Sequence, residues 1–275
     1  MKTWYITGVS SGFGKEISKQ ALANGDKVIG SVRNTSKIQD LIEEYSDTFS
    51  YVTMDMTDIK RVKEVTESVF DNNERIDVLV SNAGYGLYGA AEEFSDEEMD
   101  HQIATNLRGP IELIQASLPY FRKQMGGRII QISSVGGQVA YLGNSLYCTT
   151  KFGIEGYVKC VGLEMEKYGV GVTLVEPGGA RTDYRYGGAR ITKNLKPELE
   201  HAHGFLDMVN PEKGLAPGDP VKMATRIIES LDMEPAPVHL AFGSKAWDQI
   251  ITELSERLAS YVKLKDLSCS TDVEE

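Results

Sequence analysis

Cysteine is scarce. The 275-residue chain has three, Cys148, Cys160 and Cys269, and no Cys-x-x-Cys pair. An odd count at these spacings argues against a disulfide framework and a thiolate zinc site, and points to reduced thiols. Histidine is no richer: of four, only His201 and His203 lie close together, with no third ligand nearby, so no metal is expected. Positive charge is also short. The 29 Lys and Arg against 40 Asp and Glu leave a net charge of −11, and no basic run offsets it. Nucleic acid and anionic membrane surfaces are therefore poor partners. No stretch of roughly 18 apolar residues occurs, so no membrane span is expected. The first eight residues lead directly into a strand and a glycine turn rather than a secretion signal. Repeats and low-complexity blocks are absent. Together these absences predict a soluble, cytoplasmic protein.

Hydrophobic residues make up 41% of the chain and charged residues 25%, which suits a globular protein with a substantial core. Short β-branched runs end at Thr7 and recur at 27–32, 49–54, 77–81, 127–132, 171–176 and 238–241. Helical periods fill the intervals, including 59–70, 99–125 and 146–168. This alternation predicts an α/β fold: a doubly wound parallel sheet of about seven strands with helices on both faces, a Rossmann fold. A single domain is expected over 1–267, with an irregular, Gly/Pro/Tyr/Asn-rich substrate loop at 183–218 and an acidic tail at 268–275.

The turn after the first strand reads Thr7-Gly8-Val9-Ser10-Ser11-Gly12-Phe13-Gly14. Glycines let backbone approach a phosphate closely, and the following helix N-terminus offers free N–H groups and a favourable dipole. A dinucleotide is the implied ligand. At the end of the second strand an NAD site usually places a carboxylate for the ribose 2′-hydroxyl. Here the corner carries Arg33 and Asn34 and no acidic residue, which favours NADP(H) over NAD. Ser10 or Ser11 offers a hydroxyl to the same phosphate.

Tyr147 and Lys151 stand one helical turn apart on one face. Tyr261 and Lys265 share that spacing, but lie in a charged C-terminal helix and read as a solvated face. Only the first pair has Ser134 thirteen residues upstream, just after a strand, where open parallel sheets build their sites.

Thr7-Gly8-x-x-x-Gly12-x-Gly14, Asp55, Asn82-Ala83-Gly84, Asn106, Ser134, Tyr147-x-x-x-Lys151 and Pro177-Gly178-x-x-x-Thr182 follow in one order. Together they resemble the classical short-chain dehydrogenases/reductases, over nearly the whole chain. The resemblance implies hydride transfer between NADP(H) and a carbonyl or alcohol. Tyr147 is then general acid/base, Ser134 orients the substrate oxygen, and Lys151 lowers the tyrosine pKa while holding the nicotinamide ribose. It further implies that Asn106 holds a water in a proton relay near Lys151. Asp55 and Met56 would flank the adenine, Asn82, Ala83 and Gly84 the adenosine ribose, and Pro177, Gly178 and Thr182 the nicotinamide, with Phe13 completing the glycine turn. Ser81 departs from the family pattern, where many relatives carry a second Asn. A free tyrosine titrates near 10. The Lys151 cation and an oxidised nicotinamide are both expected to favour the phenolate, by roughly 2–3 units.

Loops after the fourth, fifth and sixth strands should bound the substrate. Candidates are Tyr85, Leu87, Val135, Gln138, Tyr141 and Tyr184, with Phe205, Leu206 and Met208. An aromatic and aliphatic lining suits a hydrophobic ketone, aldehyde or alcohol. The run from Tyr147 to Gly156 resembles the branch containing 17β-hydroxysteroid and retinol dehydrogenases. Similar proteins pair through the helices matching 99–125 and 146–168, so a homodimer or homotetramer is expected. The competing reading is a non-catalytic NADP-binding sensor; it predicts a damaged catalytic set, and Ser134, Tyr147 and Lys151 are all present. Extended epimerases share Tyr-x-x-x-Lys but space the glycine turn differently and carry a larger C-terminal domain.

Overall fold

Strands buried on both faces need apolar residues at successive positions, and the strand segments supply them. The computed structural model describes residues 1–273. The chain begins β1 (Thr3–Thr7), α1 (Gly12–Ala23), β2 (Lys27–Val32), α2 (Gln39–Glu44), β3 (Phe49–Thr53), α3 (Ile59–Asp71) and β4 (Val78–Ser81). It continues through β5 (Leu87–Tyr88), α4 (Asp96–Ile103), α5 (Gly109–Gln124), β6 (Gly127–Ile132), α6 (Ser145–Met165) and β7 (Val170–Pro177). Then follow α7 (Asp183–Tyr186), β8 (Arg190–Ile191), α8 (Phe205–Val209), α9 (Pro220–Glu229), β9 (His239–Phe242), α10 (Ser244–Lys263) and α11 (Lys265–Cys269).

Seven strands form one parallel sheet in the order β3-β2-β1-β4-β6-β7-β9. Successive side chains alternate between its faces. Tyr5, Ile29, Leu79 and Ile129 enter one core with α3, α5 and α6. Trp4, Ile6, Val28, Val80 and Ile130 enter the other with α1, α2 and α9. Each fully buried Ile or Leu adds roughly 1.5–3 kcal/mol of transfer free energy, so both faces are needed and both are covered. Strand order reverses between β1 and β4, which opens a crevice at their C-terminal ends.

Two segments depart from the sequence reading. The helix expected over 99–125 begins earlier, at a capping box in which Glu98 N donates to Ser95 Oγ (3.2 Å) and Ser95 N to Glu98 Oε2 (3.0 Å). It then widens into a π-helical turn at Ala104–Arg108 before α5. At Gly109 a Cβ would stand 2.5 Å from the Met56 carbonyl, so close packing against the β3 loop shapes this join. The 183–218 segment is also more ordered than its composition suggests. β8 pairs with β5, and the buried Glu93 carboxylate accepts from Ala90 N (2.6 Å) and Lys196 N (2.7 Å). Burial pushes that carboxyl up, but these bonds and His203 Nε2 at 2.7 Å outweigh it and hold it below its ordinary range. Of the tail expected at 268–275, the first two residues close α11, and Glu274 and Glu275 lie outside the described residues.

Candidate active site

The crevice is a cleft of about 1540 Å³ reaching from the glycine turn to α8. At one end Gly8 (φ 75°) and Gly12 (φ 56°) take left-handed backbone. A Cβ on Gly14 would lie 2.4 Å from the Gly8 carbonyl, so the turn closes only with glycine there. Asn82 secures it from β4: Nδ2 donates to the carbonyls of Thr7 (2.8 Å) and Gly8 (3.2 Å). Thr7 Oγ1 accepts from the backbone of Asn82 and Ala83. Ser11 precedes α1 without capping it, which leaves the first N–H groups of the helix for an anion. Ser10, Ser11, Gly12 and Phe13 line the cleft, and a Cβ on Gly12 would meet nothing closer than 3.7 Å. That tight turn, with open space before an uncapped helix, fits a dinucleotide pyrophosphate.

The end of the cleft beside β2 and β3 is lined by Arg33, Asp55, Met56, Asn82, Ala83 and Gly84, the residues expected around the adenosine. Asp55 Oδ1 accepts from Thr57 N and Oγ1, both at 2.9 Å. Burial raises the Asp55 carboxyl, but Thr57 and the Arg33 cation hold it below its ordinary range. Lys37 also lines this end, on the turn that Asn34 Oδ1 caps by accepting from Ser36 N (2.9 Å). Two cations therefore face the corner.

At the centre, α6 presents Tyr147 and Lys151 from its first two turns. Lys151 Nζ donates to the Ile132 carbonyl at the end of β6 (2.9 Å) and sits 5.7 Å from the centre of the Tyr147 ring. Ser134 Oγ accepts from Gly136 N (3.0 Å), which holds it beside Tyr147. Burial lowers the Lys151 ammonium to about 8, against the pull of the Glu155 carboxylate. Burial also raises the Tyr147 phenol above its ordinary value, partly offset by the Ser134 and Tyr184 hydroxyls. The sequence argument expected a lowered phenol. In the protein alone desolvation wins, and the tyrosine is a protonated acid.

Asn106 and Gln138 face elsewhere. Asn106 does not line the cleft: Oδ1 accepts from Tyr85 N (3.1 Å) and Nδ2 donates to Tyr85 O (2.7 Å), so its amide fixes the wall. Gln138, expected on the substrate, turns inward instead. Its Nε2 donates to Glu155 Oε2 and to Glu176 Oε1 (3.2 Å), because two buried carboxylates need a donor between them. Ser133 Oγ donates to the other Glu155 oxygen, and His239 Nδ1 lies 2.6 Å from Glu176. Burial lifts the Glu155 carboxyl to about 7.

The end of the cleft expected to take the substrate is aromatic. Tyr85, Val135, Tyr141, Tyr184, Phe205 and Met208 line it, whereas Leu87 is buried beneath and Leu206 lies outside. Tyr88 stacks on Phe205 with centroids 5.8 Å apart and lies 6.4 Å from the Tyr147 ring. The Tyr184 ring is also 6.4 Å from Tyr147. Tyr141 donates to Gln249 on α10 (2.9 Å), and burial pushes its phenol to about 12. Pro177, Gly178 and Thr182 line the cleft between these aromatics and the glycine turn.

The family profile for short chain dehydrogenases matches residues 2–188. The chain belongs to the short-chain dehydrogenase family. Its relatives include Oxidoreductase BOA17 of Botryotinia fuckeliana, 30% identical over 98% of this chain and 99% of that protein. A 3-ketodihydrosphingosine reductase of Bacteroides thetaiotaomicron is 36% identical over 73% of this chain and 72% of its own. Among solved structures, a short-chain dehydrogenase from Streptomyces avermitilis superposes with a TM-score of 0.92 at 35% identity, covering 99% of this chain and 100% of that one. ElxO, solved with NADP bound, gives 0.72 at 25% identity over 90% of this chain and 99% of that one.

The dehydrogenase is thus an oxidoreductase acting on CH–OH and C=O groups. Several residues lining the cleft are not marked by any local motif. Lys37, four residues after Arg33, was visible as a second cation following a strand end without an acidic residue. Tyr88 and Gln249 enter through tertiary packing, as does His101, whose Nδ1 lies 2.8 Å from the Tyr85 hydroxyl. Glu155 was visible one turn beyond Lys151, but nothing local marked it as buried.

Proposed function

We propose that this dehydrogenase interconverts a carbonyl and an alcohol on a hydrophobic small molecule, with NADP(H) as its cofactor. The observation that carries the reading is the meeting of Ser134, Tyr147 and Lys151 in one cleft, with Tyr147 buried beside Lys151. The nicotinamide supplies or accepts the hydride when bound. Tyr147 donates its phenolic proton to the carbonyl oxygen in reduction and removes it in oxidation. Ser134 donates a hydrogen bond to the same oxygen and fixes its direction. Lys151, anchored on the Ile132 carbonyl, sets its positive charge beside the phenolate as that charge develops.

Arg33 and Lys37 support the phosphate-bearing cofactor, since both line the cleft and the end of β2 carries no acidic residue for the 2′-hydroxyl. Arg33→Asp should weaken NADPH binding about tenfold or more, by replacing a charge-assisted bond with repulsion. Unchanged affinity for both cofactors would remove Arg33 from this role. The aromatic lining supports a hydrophobic substrate, in keeping with the resemblance of Tyr147–Gly156 to the hydroxysteroid and retinol branch. Three free cysteines and the acidic composition support a cytoplasmic setting. Ile103, Phe152 and Leu163, exposed on α4 and α6, support association through those helices.

The test is oxidation of NADPH against NADH across steroid, aliphatic and aromatic ketones and aldehydes, followed by alcohols with NADP. Turnover preferring NADPH is the expected result. Cofactor binding without turnover of any carbonyl or alcohol would replace this reading with the sensor.

A further inference from the structure

The aromatic end of the cleft holds more hydroxyl donors than the reaction uses. A carbonyl oxygen has two lone pairs, and in the proposed reaction Tyr147 and Ser134 fill both. Tyr184 is left over. Its side chain lines the cleft from α7, and its ring centre lies 6.4 Å from that of Tyr147. Its hydroxyl oxygen is buried and makes no well-aligned hydrogen bond with any described residue. The Tyr147 and Tyr88 hydroxyls lie beside it, and burial holds its phenol well above the ordinary value, which keeps it a donor. Gly86 makes the room for this cluster. A Cβ there would stand 2.9 Å from the Tyr184 hydroxyl and 3.0 Å from that of Tyr88. Native proteins rarely leave a buried hydroxyl unpaired, and one set beside the reacting group points to a partner that arrives with the ligand.

We infer that the substrate carries a second oxygen on the carbon next to its reacting carbonyl, and that Tyr184 donates to that oxygen. The substrate class is an α-hydroxy ketone, or the matching 1,2-diol in the oxidative direction, and it rests on the carbonyl–alcohol reaction proposed for Ser134, Tyr147 and Lys151. Adjacency fixes the position. Tyr184 neighbours Tyr147, so the oxygen it reaches is next to the one that Tyr147 protonates. Val135, Phe205 and Met208 on the same lining suit an apolar remainder. In reduction the carbonyl carbon takes the hydride and its oxygen takes the Tyr147 proton. The second oxygen keeps its bonds and serves recognition alone. A ketone without it would leave the Tyr184 hydroxyl buried and unpaired, which is how a site rejects an analogue.

The test compares 2-hydroxyacetophenone with propiophenone, in which a methyl replaces the hydroxyl at nearly equal size. The readout is the ratio of kcat/KM for the two ketones with NADPH, in the starting protein and in Tyr184→Phe. The ratio is expected to fall about tenfold or more in the variant. The loss on 2-hydroxyacetophenone should appear chiefly in KM, as removal of a binding contact does. Gly86→Ala keeps every hydroxyl but crowds these two, and should lower the ratio as well. NADPH affinity and melting temperature serve as folding controls. An unchanged ratio in Tyr184→Phe would overturn the inference, while turnover of both ketones would leave the carbonyl reaction standing. An equal loss on both ketones with a shifted pH profile would also overturn it, and would make Tyr184 a group that tunes Tyr147. If neither ketone turns over, binding of 2-hydroxyacetophenone to the NADP complex decides, read by thermal shift. Binding about tenfold weaker in Tyr184→Phe supports the second oxygen; equal or absent binding in both proteins sets it aside.

Discussion

Tyr147 and Lys151 share their spacing with Tyr261 and Lys265, and the two pairs meet opposite fates. The first tyrosine is 9% exposed and faces a cleft with Ser134 and Tyr184 beside it. The second is 69% exposed on α10, with its lysine across the join in α11. Regular helix puts the phenol and ammonium of the first pair on one face, whereas the turn at Leu264 interrupts the second. What separates them is desolvation. At the first pair burial lowers the lysine to about 8 and raises the phenol, which brings the ammonium toward neutral pH and keeps the phenol a proton donor. Spacing creates a pair; burial turns it into an acid and a cation whose charges matter.

The largest contrast is expected from removing the two hydroxyls separately. Tyr147→Phe should retain NADPH binding and lose ~100- to 10,000-fold in kcat, the usual range for a positioned general acid. Tyr261→Phe should leave kcat unchanged, and steady-state rates of both variants check the contrast. Near-normal turnover in Tyr147→Phe would abolish the distinction.

Removing the lysines should give the next largest effect. Lys151→Met is expected to cost about 100-fold in kcat/KM, at the low end of the same range, and to weaken NADPH binding in a fluorescence titration. Lys265→Met should do neither.

A subtler test uses Glu155, which only the first pair possesses. Its carboxylate raises the Lys151 pKa, so Glu155→Gln should lower it and move the alkaline limb of the kcat/KM profile acidward by about one unit. A limb that stays in place would detach Glu155 from the site. A residue acting through packing alone would lower the rate equally at every pH.

The smallest effect is on stability. Glu155 holds its proton to about 7 in the folded protein against an ordinary 4.5, so the folded state binds more protons between those values. Its contribution is complete below about 4.5 and is lost as pH rises through about 7. Glu155→Gln should flatten the decline of melting temperature over that window. An unchanged slope would assign it to His239, whose imidazole the Glu176 carboxylate holds above its ordinary value.

Much of the fold was legible because parallel strands are buried on both faces and write continuous apolar runs. β2 and β6 fall at the boundaries that such runs predict, 27–32 and 127–132. The π-helical turn around Asn106 was not legible, because it answers to the approach of Gly109 to the Met56 carbonyl, a contact between distant segments. At the site, Gly8, Gly12 and Gly14 were readable from backbone requirements alone. Gln138 misled for a tertiary reason: it follows Ser134 closely in sequence, but the buried pair Glu155 and Glu176 draws its amide away from the cleft. Glu93 organises the 183–218 segment by long-range bonds that no periodicity could announce.

The sequence by itself determined the local parts: the strand–helix alternation, the glycine turn, the lack of a carboxylate after β2, and a phenol one turn from an ammonium. These follow from steric and periodic rules acting over a few residues. Only the tertiary structure decided which Tyr-x-x-x-Lys pair is desolvated, which amides serve buried carboxylates, and which aromatic rings wall the substrate end. Those outcomes depend on the dielectric and the hydrogen-bond partners that distant segments bring, and neither is a property of spacing along the chain.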